Sequence, residues 1–274
     1  MKGFIEKIIE NRTQIIEIIL LILCCFLPFI VDAVGLFSEY LTNTTPDPQN
    51  APVYLIVKTG KAAMSVALFL FVLRKVRTYN KDFLMNRGNT YHQYPYVWYW
   101  FCANILGIRK CNLVRVPIFM QFILVIRGTF ANYPLEEMAY PIIENESNPS
   151  IDVIHTTADG QEINLILEDT YVIDSQQIPK LKQGLKTIKI SRNDGIHKGR
   201  HFSQKFIDAV IDTVRNLEQN TIVNIYATTN PMNTKHIASR AFALADRGNI
   251  QHLYVFQQQS SGNRSFENKG YKIF

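Results

Sequence analysis

Cysteine is scarce in this chain, with four residues among 274. Cys24 and Cys25 fall inside an apolar run, and Cys102 and Cys111 are too few for a structural zinc site, which takes four ligands. Four thiols also make no disulfide framework in a reducing compartment, so all four read as structural. Catalytic signatures are missing too. The sequence holds no G-x-x-x-x-G-K-[ST] phosphate loop, no G-x-G-x-x-G turn, no H-E-x-x-H helix and no G-x-S-x-G elbow. It shows no internal repeat and no low-complexity segment. The expectation is a protein that is not an enzyme and carries no cofactor or metal. One acidic pair stands against it. Glu168 and Asp169 follow an apolar segment, with Asp152, Asp159 and Asp174 near in sequence, and such carboxylates hold Mg²⁺ in nuclease-like sites. A solvated turn is the plainer account of the same residues.

Long apolar runs, by contrast, occur twice. Residues 15–34 and 53–73 each reach the length, about 20 residues, that a helix needs to cross a bilayer. A signal peptide would end at a small-residue cleavage site. The first run continues past Pro28 to Val34 without one and a second follows at once, so the pair reads as a retained hairpin. The loop between them has no Lys or Arg and carries Glu39 and Asp47. Lys2, Lys7 and Arg12 precede the first run, and Arg74, Lys75, Arg77, Lys81 and Arg87 follow the second. Positive flanks stay in the cytoplasm, which places both termini there. The net charge of +6 lies largely at these flanks, where it meets anionic lipid.

Charges interrupt the spans: Glu17 near the inner end and Asp32 near the outer end of the first, and Lys58 and Lys61 in the outer half of the second. Of these, Glu17, Lys58 and Lys61 are the candidates for pore or helix-packing roles. A charge near mid-span costs about 2.5–3.5 kcal/mol on insertion scales. The lysines can snorkel to the interface; alternatively, all three face one another or a wet lumen once several hairpins assemble. Two helices cannot enclose a pore, so a channel requires an oligomer. Ala62, Ala63, Ser65 and Ala67 allow close helix packing.

After the spans, residues 91–102 are dense in aromatics and include both tryptophans, Trp98 and Trp100. Pro95, Gly107, Arg109 and Lys110 break the run, which argues against a third span. Tyr and Trp favour the membrane–water interface, which suits a connector at the inner leaflet. Residues 116–126 are short, apolar and β-rich, and read as a buried strand. The polar stretch 145–150 marks a boundary.

Beyond it the chain becomes regular. Strands at 151–156 and 162–167 flank Ala158-Asp159-Gly160, a hairpin signal. A strand at 185–190 leads to a helix at 204–219, capped by Ser203, with Phe206, Ile207, Val210, Ile211, Val214 and Leu217 on one face. A strand at 221–227, a helix at 235–247 capped by Asn233 or Thr234, and a strand at 252–256 follow. Alternation of this kind predicts parallel pairing through right-handed crossovers. The predicted fold is α/β: a two-helix transmembrane hairpin (1–80), an aromatic juxtamembrane connector with the first part of the soluble domain (81–148), and a Rossmann-like sensor domain with a parallel sheet (149–274).

In such sheets ligands bind beyond the carboxyl ends of the strands. Ser191, Arg192, His197, Lys198, Arg200 and His201 follow the first of these strands. Thr228, Thr229, Asn230, Asn233, Thr234 and Lys235 follow the second, and Gln257, Gln258 and Gln259 the third. Cations, hydroxyls, amides and a helix N-terminus suit an anionic, hydrogen-bonding ligand, a nucleotide or oligonucleotide. The alternative is a plain turn and helix cap beside a solvated basic loop.

The segment Thr228-Thr229-Asn230-Pro231-Met232-Asn233-Thr234-Lys235 after its strand resembles the strand–polar loop–helix element of CARF and SAVED sensor domains. The resemblance covers roughly residues 185–259 and the hairpin-then-sensor layout; Pro231 stands where a Gly-rich turn is often found. It implies a membrane effector of bacterial oligonucleotide-signalling antiphage defence, with the Hailong-type channel effector as a close neighbour in logic. The expected partners are the bilayer of the bacterial inner membrane, further copies of the chain (a tetramer or larger), and a ligand made by a nucleotidyltransferase. Ligand control of an ion channel is the expected function. A membrane-anchored hydrolase or nuclease using Glu168 and Asp169, and a non-catalytic scaffold, are the alternatives.

Overall fold

A computed structural model describes residues 9–31, 51–88, 90–135, 139–143, 146–155, 160–192, 199–243, 248–259 and 262–274, without the side chains of 51–58. The chain forms two compact units, Met1–Phe83 with Trp100–Arg109, and Leu84–Tyr99 with Lys110–Phe274.

The first unit is built on two helices, α1 (Arg12–Ile30) and α2 (Ala51–Asn80), packed against each other. Its burial is inverted relative to a water-soluble helix pair. α1 buries Gln14, Glu17, Leu21, Cys24 and Pro28. It exposes Ile16, Ile19, Leu23, Phe26, Phe29 and Ile30, each more than half accessible. Water penalises such a surface, and lipid does not. Among the described residues α1 alone is long and apolar enough to cross a membrane by length and composition. α2 runs past the expected end at 73 because its basic turn, Arg74 to Asn80, stays helical. The buried Asn80 amide donates to Glu17 Oε2 at 2.8 Å and to the Leu106 carbonyl at 3.1 Å. Glu17 thus has a neutral partner inside the unit; Lys61 is half-buried on α2, and the Lys58 side chain lies outside the described residues. Burial pushes the Cys102 thiol up to about 12, which keeps it protonated and inert.

In the second unit the aromatic segment forms α3 (Tyr96–Asn104), whose last residues belong to the first unit. β1 (Leu84–Met85) and β2 (Lys110–Cys111) form a short parallel pair. The predicted strand at 116–126 is instead α4 (Ile118–Ile126). It is buried nearly all round, and such a helix has no amphipathic period to separate it from a core strand.

A six-stranded sheet organises this unit in the order β3 (Ser150–Ile154), β5 (Lys186–Ser191), β4 (Glu162–Glu168), β6 (Thr221–Ala227), β7 (Ile250–Phe256), β8 (Tyr271–Lys272). The four inner strands are parallel, and β3 and β8 are antiparallel edges. The Asp-Gly hairpin does not form: β3 pairs with β5 rather than β4. β4 is buried along six of its seven residues, Asn164 among them, on both faces, which suits an interior parallel strand. β3 leaves Ile151, Val153 and Ile154 exposed, as an edge permits. Ser203 caps α5 (Gln204–Arg215), its hydroxyl accepting from the Phe206 N–H at 3.1 Å. The next helix, α6 (Pro231–Ile237), starts a turn earlier than predicted because Asn230, not Asn233 or Thr234, is its cap and Pro231 occupies the first turn. It continues into a π-turn, Ala238–Phe242.

Candidate functional site

Parallel pairing brings the carboxyl ends of β4, β5, β6 and β7 to one edge of the sheet. Glu168 and Asp169 therefore meet Ser191-Arg192 and Thr228-Thr229-Asn230, which sequence alone left in separate candidate sites.

Their meeting point is Asp169. Its Oδ1 lies 2.6 Å from Arg192 Nη1, in a pair with both side chains almost wholly buried. Its Oδ2 accepts from the Asn230 backbone N–H (2.9 Å), the Asn230 amide (3.0 Å) and the Asn233 amide (2.9 Å). Burial raises the Asp169 pKa above the usual carboxylate value, and Arg192 with the three N–H donors pulls it back down. The same two amides donate to the His201 carbonyl at 2.9 and 3.2 Å, and the Ser203 N–H donates to Asn233 Oδ1 at 3.1 Å. Arg192 Nη2 also donates to the Gly199 carbonyl at 2.6 Å. One carboxylate thereby ties the end of β4, the end of β5, the segment 199–203 and the start of α6 together.

Several predicted ligand contacts are consumed by this framework. The Ser191 hydroxyl donates to Glu168 Oε2 at 2.7 Å, and Lys189 Nζ lies 2.7 Å from the same oxygen. Thr229 and Thr234 share a hydroxyl contact at 2.7 Å, and Thr228 Oγ1 donates to the Tyr171 carbonyl at 2.8 Å. Ser191, Arg192, Thr228, Thr229, Asn230, Asn233 and Thr234 are all buried. Arg200 is exposed, and His197 and Lys198 lie outside the described residues. Glu168 and Asp169 are likewise taken up by protein partners, and among the described residues no cluster of His, Cys, Asp and Glu can hold a metal ion.

What the framework positions is a cavity of about 700 Å³ beside it. Tyr133, Tyr140, Phe202, Met232, Lys235 and His236 line it, and among the described residues no carboxylate does. Phe202 follows the clamped His201 directly; its N–H donates to the Pro141 carbonyl at 3.2 Å, and it bridges to Ile142. Its ring meets His236 edge-on at 5.2 Å. Lys235 Nζ donates to the Tyr133 carbonyl at 3.1 Å, which holds the ammonium at the wall. The Tyr133 hydroxyl is anchored on the Leu124 carbonyl at 2.5 Å. Burial, with Arg240 and Lys235 close by, lowers the His236 pKa below the ordinary imidazole value.

Of the predicted residues that the structure describes, Lys235 alone lines this cavity. Tyr133, Tyr140, Phe202 and His236 went unread, although the repeated Tyr-Pro pairs at 133–134 and 140–141 are a visible signal. Gln257, Gln258 and Gln259 line a separate cleft of about 430 Å³ that also holds Glu267, a poor place for an anion.

The model of the SUa-2TM family, the SMODS- and Ubiquitin system-associated 2TM effector domain, matches residues 1–274. The chain belongs to that family. No curated protein is significantly similar to the chain in sequence. Among solved structures it is similar to the Acinetobacter baumannii Cap4 SAVED/CARF-domain receptor. With the cyclic trinucleotide 2'3'3'-cAAA, that receptor gives a TM-score of 0.41 at 9% identity, covering 79% of this chain and 61% of that one. With 3'3'3'-cAAA the values are 0.39 and 10%, covering 79% and 60%. The SUa-2TM chain thus spans about three-fifths of the receptor's length.

Proposed function

We propose that this SUa-2TM chain is an oligomeric inner-membrane effector of antiphage defence, with both termini cytoplasmic, whose aromatic cavity binds a nucleotide or oligonucleotide that controls membrane permeability. The observation that carries the reading is the lining of the cavity. Aromatic faces stack bases, each such contact contributing about 1–3 kcal/mol, and Lys235 supplies a cation for phosphate. The inverted burial of α1 supports a membrane output. A ligand shifts such an assembly only through unequal affinities for its two states. Full engagement of Glu168 and Asp169 by Arg192, Lys189, Ser191, Asn230 and Asn233 favours a non-catalytic sensor over a nuclease.

The test is membrane potential in bacteria producing the full chain, beside a version lacking residues 1–80. Depolarisation with the hairpin present, absent without it and altered by Lys235→Ala, supports the reading. An unchanged potential under both phage challenge and nucleotide depletion overturns it.

A pH dependence follows from His236. Its lowered pKa keeps the imidazole neutral at pH 7 in the free protein, with Lys235 and Arg240 opposing its protonation. A bound phosphate stabilises the imidazolium, so binding takes up a proton and tightens as pH falls from neutral toward the lowered value of the free imidazole. Calorimetry with cyclic tri-adenylate across pH 5 to 8 checks this. His236→Gln flattens the profile.

A further inference from the structure

The first unit holds a second cavity, about 520 Å³, at the basic end of α2. Arg74, Arg77 and Lys81 stand at i, i+3 and i+7, one face of the helix, and Arg109 joins them from the segment after α3. Leu70 and Leu73 form the rim that continues into the apolar part of α2. Among the described residues none of these four cations has a carboxylate partner, and no acid lines the cavity.

A helix C-terminus tolerates cations through its dipole, which accounts for Arg77 and Lys81. It does not account for the arrival of Arg109, or for the close approach of the chain beside it. Gly107 has φ +78, and a Cβ there would lie 2.9 Å from Arg77 Cγ and 3.2 Å from Arg77 Cα. Only glycine allows the turn to close on α2 and bring Arg109 beside Arg77. Unpaired cations assembled from two segments, with an apolar rim on one side, match a phosphate attached to acyl chains. Basic pockets beside spans on the cytoplasmic side take anionic headgroups in this way.

We propose that this cavity binds the phosphate of an anionic phospholipid, the headgroup among Arg74, Arg77, Lys81 and Arg109 and the glycerol end toward Leu70 and Leu73. The assignment rests on the reading of α1 and α2 as a membrane hairpin.

The experiment uses the full chain in neutral detergent and measures retention of dihexanoyl phosphatidylglycerol by native mass spectrometry. Dihexanoyl phosphatidylcholine and inorganic phosphate are the comparison probes. The expected result is retention of phosphatidylglycerol at least tenfold better than phosphatidylcholine. Arg77→Gln and Arg109→Gln each lower it about tenfold, Arg77→Lys keeps most of it, and Lys75→Gln leaves it unchanged. Lys75 is the matched control because it lies over the Phe71 ring, 5.7 Å from its centroid, and does not line the cavity. Equal loss in Lys75→Gln shows diffuse attraction and overturns the site. Retention of phosphatidylcholine to the same degree overturns it too, and inorganic phosphate bound as well as the lipid overturns the lipid as its source. A soluble short-chain lipid reports on the cavity whether or not the chain inserts, so fractionation of cells tests the hairpin separately.

Discussion

Asp169→Asn destabilises the sheet unit by about 3–5 kcal/mol, the range for removing one partner of a buried ion pair. The substitution keeps the volume but strands the Arg192 guanidinium, almost wholly buried with its partner. It also turns an oxygen that receives three N–H donors into part of an amide with fewer lone pairs to offer. The damage spreads by connection. Asn230 and Asn233 hold the His201 carbonyl, and Phe202 follows directly. Loosening Asp169 therefore also deforms the cavity wall, and ligand binding falls with stability. Denaturant unfolding followed by tryptophan fluorescence and far-ultraviolet circular dichroism measures the first effect. Ser191→Ala, which removes one neutral hydroxyl donor to Glu168, costs only about 1 kcal/mol beside it. The double substitution Asp169→Leu with Arg192→Met removes both charges but leaves the Asn230 and Asn233 donors and the Gly199 carbonyl without their partners, so it does not restore the parent's stability. An Asp169→Asn variant within about 1 kcal/mol of the parent would falsify the role given to this pair.

Phe202→Ala and Lys235→Met each weaken nucleotide binding roughly tenfold to a hundredfold while leaving the unfolding transition nearly in place. For Phe202 the loss is one stacked base, about 1–3 kcal/mol. For Lys235 it is a charge-assisted bond to phosphate, and Met preserves the packing of the aliphatic stem. Neither side chain bonds to Asp169 or Arg192, which separates this prediction from the first. Titration of the detergent-solubilised chain with cyclic tri-adenylate gives the affinities. If Arg200→Ala alone abolished binding and both cavity substitutions were silent, the ligand would sit on the exposed loop and not in the cavity.

Some of this was open to reading along the chain. The two apolar runs, the charge asymmetry around them and the alternation of β5 to β7 with α5 and α6 are patterns of period and composition. The alternation survives into the structure because burial against the sheet enforces it, and both runs are helical, the first as far as Ile30. The strand predicted at 116–126 failed because a helix buried on all sides has the same composition as a core strand. The β3–β4 hairpin failed because Asp-Gly favours a turn locally, whereas pairing is chosen by which neighbour covers each face. The helix start moved because Asn230 and Pro231 together form a better cap than the residues three positions on.

The site separates the two kinds of information most clearly. Sequence alone determined that cations, amides and hydroxyls follow the strands of a parallel sheet, and so converge on its carboxyl edge. It also determined that Lys and Arg gather on the outer flanks of the two apolar runs and are absent between them. Only the tertiary structure decided which of those polar groups face a ligand and which face each other. The reason is that a buried polar side chain must find a partner or lose its hydration without return. The partners of Arg192, Asn230 and Asn233 meet on Asp169, 23 to 64 positions away along the chain. Tyr133, Tyr140 and Phe202, which no helix or strand period singles out, were left to line the cavity.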